Sequence, residues 1–592
     1  MYIFLGCRTR GLCNITRPNK ATSSSDTNRL ATSDTTNLAL MPRRVKVAVI
    51  GSGLAGLTAA YILTKPTPEN HVEFELHLFE KASMLGMDSS SISVPLPDGE
   101  RSWRVDVPMR SFQGGYYPQL IALYQRLGVA FRKANFSYSF SLLSPPTSTR
   151  VKQITATMIY NGNSGLRGLS MPSLLDEPYH STKGRGFLLR AFTKAWTVGL
   201  FLFLTTRTFV CFLRMLFLSV PIWRSSDINE SFAEWAERTA PTSALARWLG
   251  MDLVWRDYTQ TVLLPLFSAI CTAPDEDVLR HPAEEFLDYI WLTFGTHHYA
   301  VLHGVQDVVS RLTSDIRHIH LSSTISAISV DPSDSQLATI HCNTSSGSIS
   351  HSGFHHIIFA TQATRAVPLL SSYGSSLQPN NPKRLAVKKL LDCLEAFKYC
   401  TSVVINHTDS TLMPDKARDR RELNLICIDS ASSLKPTAHL PREDGFGEKS
   451  EILPTSYTMT THVLHRPTGL SERLPAIYQT TNPIIPPRTE CVLSVATLER
   501  AIVTVESKQA LKGLYWEDGR KRWQCAGQGR SHLGELQGAG RLSDIEGPGI
   551  WICGSFAAAG IPLLEGCVVS ARNVVEQGIW EAEGIQSKIP PW

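Results

Sequence analysis

The stretch from Val45 to Glu80 constrains this chain more than any other. Val45–Ile50 (VKVAVI) is a short apolar run rich in β-branched residues, the pattern of a buried strand. Gly51-Ser52-Gly53-Leu54-Ala55-Gly56 follows at once, then Leu57–Leu63 (LTAAYIL), which reads as a buried helix stopped by Lys65-Pro66-Thr67-Pro68. A second, alternating strand, Val72–Phe79 (VEFELHLF), ends in Glu80 and Lys81. Strand, glycine turn, helix, strand, acid is one βαβ unit with the spacing of a dinucleotide site. Gly51 permits the tight turn, Gly53 lets backbone approach a pyrophosphate, and Gly56 lets the helix pack closely on the sheet. The phosphates are expected at the helix N-terminus, where unpaired N–H groups and the positive dipole end meet anionic oxygens. Glu80, at the end of the second strand, is placed to accept the ribose hydroxyls and to repel a 2′-phosphate. The unit predicts a dinucleotide binder that is not built for NADP.

Composition narrows the class. Of 592 residues, 43% are hydrophobic and 19% charged, which excludes a chain that is disordered, collagenous or coiled-coil throughout. Lys and Arg number 58 against 52 Asp and Glu. That excess is too small for a nucleic-acid footprint by charge alone. Twelve cysteines contain no Cys-x-x-Cys pair, which fits a reducing compartment and no zinc ribbon. Residues 1–42 are rich in Ser, Thr and Asn toward their end and read as a disordered tail. Early Arg and late acid give that tail a weak mitochondrial transit flavour; the alternative is that Met41 is the true start.

Further along, Ile325–Val330 and Leu337–Cys342 predict a hairpin joined by Asp-Pro-Ser-Asp, leading to a buried strand at His356–Ala360. Arg418–Glu422 (RDRRE) reads as a solvated loop. Near the end, Gly549–Cys553 is a strand, Gly554 a turn, and Glu565–Gln577 a helix.

VKVAVIGSGLAGLTAAY followed by FEKASMLG resembles the FAD-dependent amine oxidase and phytoene desaturase superfamily, closest to a subgroup of predicted NAD/FAD-binding amine-oxidase-like proteins. The likeness continues in order through Val105–Arg110 (VDVPMR), Tyr117–Leu120 (YPQL), Leu127–Val129 (LGV), Leu302–Leu312 (LHGVQDVVSRL) and Ile357–Gln362 (IIFATQ). It goes on through Val404–Pro414 (VINHTDSTLMP) and Gln479–Pro483 (QTTNP) to Trp551–Ala571 (WICGSFAAAGIPLLEGCVVSA).

The resemblance implies an α/β fold: a doubly wound, Rossmann-type FAD-binding domain from 43–115, 300–370 and 546–580. Interleaved with it is an α+β substrate domain from 116–299 and 371–545, with 581–592 as a C-terminal tail. It places the loop residues Gly51, Ser52, Gly53, Leu54, Ala55 and Gly56, with Glu80 and Lys81, on the dinucleotide. Gly554 and Ser555 would lie against the pyrophosphate and ribityl chain, and the N–H groups of Leu564 and Glu565 would face the flavin pyrimidine oxygen. Ile325 would meet adenine through its backbone, and Arg110 would sit near the isoalloxazine.

Two departures bear on affinity. Gly86-Met87-Asp88 stands where the family has a Gly-Gly pair followed by Arg or His, and Ser555 where many members have Asp or Glu. No second strand–GxGxxG–helix unit occurs, which argues against a separate NAD(P)H domain. The implied function is an FAD-dependent oxidoreductase that takes hydride from a hydrophobic small molecule at a C–N or C–C bond. Oxygen or another acceptor would reoxidise the flavin. The rivals are a membrane-associated FAD-binding protein without redox turnover and a redox-neutral flavin isomerase.

Phe187–Trp223 is the most apolar stretch, and a hydropathy window over Val198–Ile222 passes for a membrane span. Arg207 and Arg214 lie inside it, each costing about 2.5–3.5 kcal/mol at a bilayer centre. A single crossing would also part the first glycine loop from Gly554. Seven residues apart, the two arginines share a helix face, which suits a monotopic membrane-surface helix. A two-helix hairpin broken near Thr205-Thr206-Arg207 and a core helix pair in a cytoplasmic protein are the other readings.

No metal is expected. His297-His298 and His355-His356 are adjacent pairs without ligand spacing. Cys525 and Cys567 invite thoughts of covalent flavin attachment but read as structural thiols. His407 and Asp409 are polar candidates through the resemblance alone, and the catalytic residues are not legible.

Overall fold

The structure, a computed structural model, describes residues 42–65, 71–96, 102–144, 152–162, 167–176, 187–224, 230–428, 457–466, 475–539, 547–585 and 592. The tail expected over 1–42 therefore lies, apart from Pro42, outside the described residues, as does the Pro66-Thr67-Pro68 stop.

Five parallel strands form one half of the fold: β1 (Arg43–Ile50), β2 (Val72–Phe79), β3 (His318–His320), β4 (His356–Phe359) and β5 (Gly549–Ile552). Their order is β3-β2-β1-β4-β5. β4 and β5 are buried along their whole length, as expected of central parallel strands covered on both faces. Helix α1 (Leu54–Leu63) follows β1 and is buried at all ten residues, which explains its lack of a polar face. The chain leaves β1 toward β2 and returns later through β4 on the other side. This places a topological switch point outside the carboxyl ends of β1 and β4.

Sterics fix the first turn. Gly51 has φ +97°, and a Cβ there would lie 2.9 Å from the Ala360 carbonyl oxygen; one on Gly56 would lie 2.0 Å from the Gly51 carbonyl oxygen. The expected hairpin forms as Thr324–Val330 and Ala338–Thr344, and Gly347–Phe354 adds a third antiparallel strand. The sequence GSISHSGF hid that strand because most of it is exposed.

The other half is built on an eight-stranded mixed sheet drawn from residues 138–170 and 398–502. All its pairings are antiparallel except Leu423–Ile428 beside Tyr138–Ser144. Helices from the 187–293 region accompany it. The largest is α2 (Phe187–Ser219), 33 residues long and unbroken. The hairpin break near Thr205-Thr206-Arg207 does not form. The hydroxyls of Thr206 and Thr208 donate back to the carbonyls of Leu202 and Leu204 at 2.8 and 3.0 Å, so these polar residues are satisfied inside the helix. The core-helix reading holds in one respect, since Thr208, Phe212 and Met215 line an apolar cavity, although only Thr197, Cys211, Met215 and Ser219 of α2 are buried. The shared arginine face turns out to be a protein-facing flank. Arg207 lies 3.9 Å from Asp257, while Arg214 donates to the Thr239 carbonyl and covers the Trp255 ring. Because β1 precedes α2 and β4 and β5 follow it within one sheet, α2 cannot cross a membrane once and leave that sheet intact.

Two other expectations meet a different local structure. Asp419 in the RDRRE run is buried and accepts the N–H and hydroxyl of Ser173. Residues 581–585 are anchored: Glu583 is buried against Arg43 on β1 and His356 on β4, the latter at 2.8 Å. Ile585 is buried as well.

A cavity where two glycine turns meet

At the switch point lies a cavity of about 960 Å³, within the size range of cofactor and ligand sites. Gly53, Leu54 and Ala55 reach it from the N-terminus of α1, Gly554 and Ser555 from the end of β5, and Leu564 from the start of helix α3 (Leu564–Asn573). Arg110 lines it too. Residues separated by some five hundred positions thus border one space.

Gly53 is the informative glycine. Its φ of −64° is open to any residue, and no protein atom lies within 4 Å of where its Cβ would stand. Nothing in the fold requires glycine there, so the cradle it leaves fits close approach of a ligand. Gly86 is the opposite case, since its Cβ would fall 2.6 Å from the Ser52 carbonyl oxygen.

Gly51, Ser52, Gly56 and Glu80 stand behind this front. Glu80 Oε2 accepts the N–H and Oγ–H of Ser52 at 3.1 and 2.6 Å, and Oε1 accepts the Ala82 N–H at 2.9 Å. A carboxylate offers about four lone-pair sites. Three are in use, leaving room for one ribose hydroxyl rather than two. The fully buried Ser52 in turn accepts the Gly86 N–H at 2.7 Å, which makes it a brace for the loop. Lys81 is exposed and does not line the cavity. Ile325 lies across from Cys342 at a β-bulge. It follows Ser323, whose N–H donates to the Glu80 carbonyl at 2.9 Å, so it flanks the Glu80 end without lining the cavity.

Asp88 does not face the loop: it is buried and pairs with Arg104 Nη2 at 2.7 Å and Nε at 3.2 Å. The acid that departs from the family pattern is therefore neutralised locally.

The cavity wall carries polar atoms that the protein leaves without partners. Arg110 donates to the Met87 carbonyl at 3.4 Å, yet its Nε has no partner. The same holds for Arg500 Nε, Gln113 Oε1, Glu499 Oε2 and Thr460 Oγ1. Burial lowers the pKa of both arginines; that of Arg500 falls to about 10, with the Arg110 charge adding to the effect. Two half-buried guanidiniums whose Nε–H groups are buried without a partner favour an anionic or strongly polar occupant. These orphaned atoms and the Gly53 cradle together fit a dinucleotide.

The rest of the wall is largely apolar. Phe136, Tyr138, Tyr160, His298 and His462 come from the sheets and their margins, and Thr208, Phe212 and Met215 from α2. Burial pulls the pKa of His298 and of His462 down to about 4, so both imidazoles are neutral at pH 7. Among the described residues no lysine lines the cavity. Sequence reasoning missed Arg500, Gln113, His298 and His462 as wall residues. Strand alternation within VLSVATLERAI was the available signal for Arg500.

Glu565 turns its side chain away from the cavity. Its carboxylate accepts the N–H groups of Gln119 and Leu120, both at 2.9 Å, capping the helix Pro118–Leu127. Burial raises its pKa to about 7 against the pull of those donors. The folded state then binds this proton more tightly than the unfolded chain between pH 4.5 and 7, so this group's contribution to stability falls as pH rises through that window and levels off above it. In urea unfolding, Glu565→Gln is expected to lose that fall between pH 5 and 8, on the order of 2 kcal/mol. An unchanged pH slope would assign the dependence elsewhere.

His407 and Asp409 are spent on local structure. His407 bonds Thr480 at 2.7 Å and accepts the Asp409 N–H, while Asp409 accepts the N–H groups of Thr411 and Arg488. Neither lines the cavity. Cys567 does, with its thiol pushed up to about 11 by burial, whereas Cys525 does not.

Residues 49–127 match the family model described as an NAD(P)-binding Rossmann-like domain. No curated protein matches the chain by sequence. Among solved structures, an oxidoreductase from Methanosarcina mazei aligns over 90% of this chain and all of its own, with TM-score 0.43 and 10% identity. A redesign of cofactor binding in putrescine oxidase aligns over 91% of this chain and all of its own, with TM-score 0.40 and 12% identity.

Proposed function

We infer that this protein is an FAD-dependent oxidoreductase acting on a hydrophobic small molecule at a membrane surface. The observation that carries the reading is the single cavity bordered by both glycine turns, Gly53–Ala55 and Gly554-Ser555, and continued by an apolar chamber against α2. The Rossmann match over 49–127 supports the nucleotide half. FAD, when bound, supplies a ring that accepts hydride from a substrate C–H bond.

The chain's own groups then have definable roles. The N-termini of α1 and α3 present unpaired N–H groups to anionic oxygens. Arg110 and Arg500 add positive charge in a desolvated setting, which stabilises developing negative charge. Those charges also disfavour a protonated amine in the chamber. With two guanidiniums in the wall, the site suits a neutral or anionic apolar substrate and oxidation at a C–C bond better than a cationic amine. His298 and His462, neutral at pH 7, can accept or donate a hydrogen bond to a substrate polar group without introducing charge. The Asp88–Arg104 pair compensates the acid of the altered Gly86-Met87-Asp88 stretch, which supports a loop able to take the dinucleotide.

The face of α2 away from the cavity supplies the membrane half of the reading. Phe187, Leu188, Trp196 and Phe203 are exposed, as are Leu245, Trp248 and Leu253 on the helices Ala244–Trp248 and Met251–Tyr258. An apolar surface with several tryptophans fits the interface of a bilayer.

The test is the visible spectrum of the purified full chain, before and after added FAD, followed by anaerobic titration with apolar candidates. A bound flavin bleached by a lipid-like or terpenoid compound is the expected result. A chain that takes up no flavin even in excess sinks the reading. Turnover at unchanged oxidation level would select the isomerase instead.

A further inference from the structure

A cluster of imidazoles stands outside the cavity, at the edge of the parallel sheet. His77 is buried on β2, and His318 and His320 lie two apart on β3. Residues two apart on a strand share a face. The register pairs His77 with His318 and Phe79 with His320, so all four rings emerge on the same side. The meander strand Gly347–Phe354 covers that side and brings His351 over His320, with ring centroids 4.6 Å apart. One nitrogen from each of His77, His320 and His351 falls within 4.8 Å of the others.

We propose that His77, His320 and His351 form a binding site for a divalent late transition metal such as Zn(II), with Glu75 orienting His77 from behind. Nδ1 of His77 lies 3.0 Å from Nε2 of His320, and Nε2 of His77 lies 3.0 Å from Glu75 Oε1. The second contact holds the proton on Nε2 and leaves Nδ1 as the lone-pair nitrogen. A carboxylate behind an imidazole in this way is the common outer support of a zinc ligand. His318 stacks on His77 at 4.6 Å and fixes its ring plane. Tetrahedral Zn–N bonds of 2.0–2.1 Å set ligand nitrogens roughly 3.3 Å apart. The His77–His320 pair is already close to that, and His351, on the less buried meander strand, closes a remaining gap of at most about 1.5 Å. Binding shifts the His320 proton from Nε2 to Nδ1, which costs no net charge. Three imidazoles with a fourth, solvent position match zinc or a neighbouring borderline metal better than calcium or magnesium.

Two cations face the cluster. Lys46 Nζ lies 3.9 Å from Glu75 Oε1 and over the Phe354 ring, and Arg44 lies 3.5 Å from Glu75 Oε2. Both are engaged by Glu75, so their repulsion of a metal is partly offset. The site also adjoins the nucleotide pocket, since the Glu80 N–H donates to the His320 carbonyl at 2.8 Å. A metal here clips the meander to the sheet edge beside Glu80. Metal binding itself does not depend on the flavin reading.

The experiment uses the full chain without a histidine tag, stripped with chelator and titrated with Zn(II) by calorimetry alongside thermal unfolding. One Zn(II) per chain at micromolar affinity or tighter and a raised Tm are expected. His351→Ala and, separately, His320→Gln should weaken that site at least ~100-fold and abolish the Tm rise, and Glu75→Gln should weaken it roughly 10-fold. Should one ligand variant fail to fold, the other decides. The proposal is overturned if no 1:1 site appears below about 100 μM, or if a folded ligand variant binds Zn(II) as tightly as the parent through cysteines elsewhere.

Discussion

Gly53→Val is expected to yield a folded protein that has lost its flavin. At φ −64° and ψ 175° the backbone of Gly53 is in the extended region, which a β-branched residue adopts without strain. No protein atom stands within 4 Å of the added Cβ, so the apo fold has no reason to change. The methyl groups would instead occupy the cradle at the N-terminus of α1, where the backbone must approach a pyrophosphate. Loss of that approach should weaken FAD by at least 100-fold, about 2.7 kcal/mol. The readout is flavin absorbance per mole of chain together with the Tm of the flavin-free protein. Gly56→Ala supplies the contrast. Its Cβ would lie 2.0 Å from the Gly51 carbonyl oxygen, so it should lower Tm or abolish soluble expression. Full flavin content in Gly53→Val would falsify the placement of the dinucleotide at this loop.

That contrast also shows what a sequence can and cannot carry. The βαβ unit was legible because its signals are local: β1, the glycine turn and α1 span only Arg43–Leu63, and Gly51 and Gly56 answer nearby steric demands. The turn at Gly554 was legible for the same reason. The wall of the chamber was not. His462 and Arg500 come from two strands of the eight-stranded sheet and His298 from a separate three-stranded sheet, so their convergence depends on how the two sheets pack. The imidazole cluster lies between these cases. His318-Ile319-His320 carries the period of two that puts both rings on one face, yet nothing local says that β3 pairs with β2 at His77.

Burial explains the remaining differences. RDRRE reads as solvated because four of its five residues are charged besides Asp419, but Asp419 is buried against Ser173 and caps a neighbouring turn. Residues 581–585 read as a tail because nothing in their own composition shows that Glu583 meets Arg43 and His356. Such contacts span hundreds of residues and leave no periodic trace. The apolar run of α2 shows the converse. Its composition is equally consistent with a core helix and a surface helix, and only the fold reveals which face is covered.

Replacing that uncovered face should detach the protein from membranes. At 100° per residue, Leu188, Phe192, Trp196, Phe203 and Phe217 fall on one side of α2, and Thr197, Cys211, Met215 and Ser219 on the opposite side. The first group is exposed and the second buried, so the second half of the helix packs on the protein while the apolar stripe runs outward along the whole of it. Its 33 residues make that stripe about 50 Å long. The flanking Lys194 and Arg247 are exposed and suit an anionic headgroup layer. A full-length chain should therefore float with vesicles containing anionic lipid, and the triple variant Leu188→Glu, Trp196→Glu, Phe203→Glu should not. Each lost side chain forfeits about 1.5–3 kcal/mol of apolar burial, so partitioning should fall by more than roughly 100-fold. None of the three residues lines the cavity, which leaves flavin content as an internal control on folding. If the parent chain ignores vesicles but sediments as a dimer that the triple variant dissolves, the stripe is a contact between two copies. The membrane reading then fails, while the cavity and its cofactor stand.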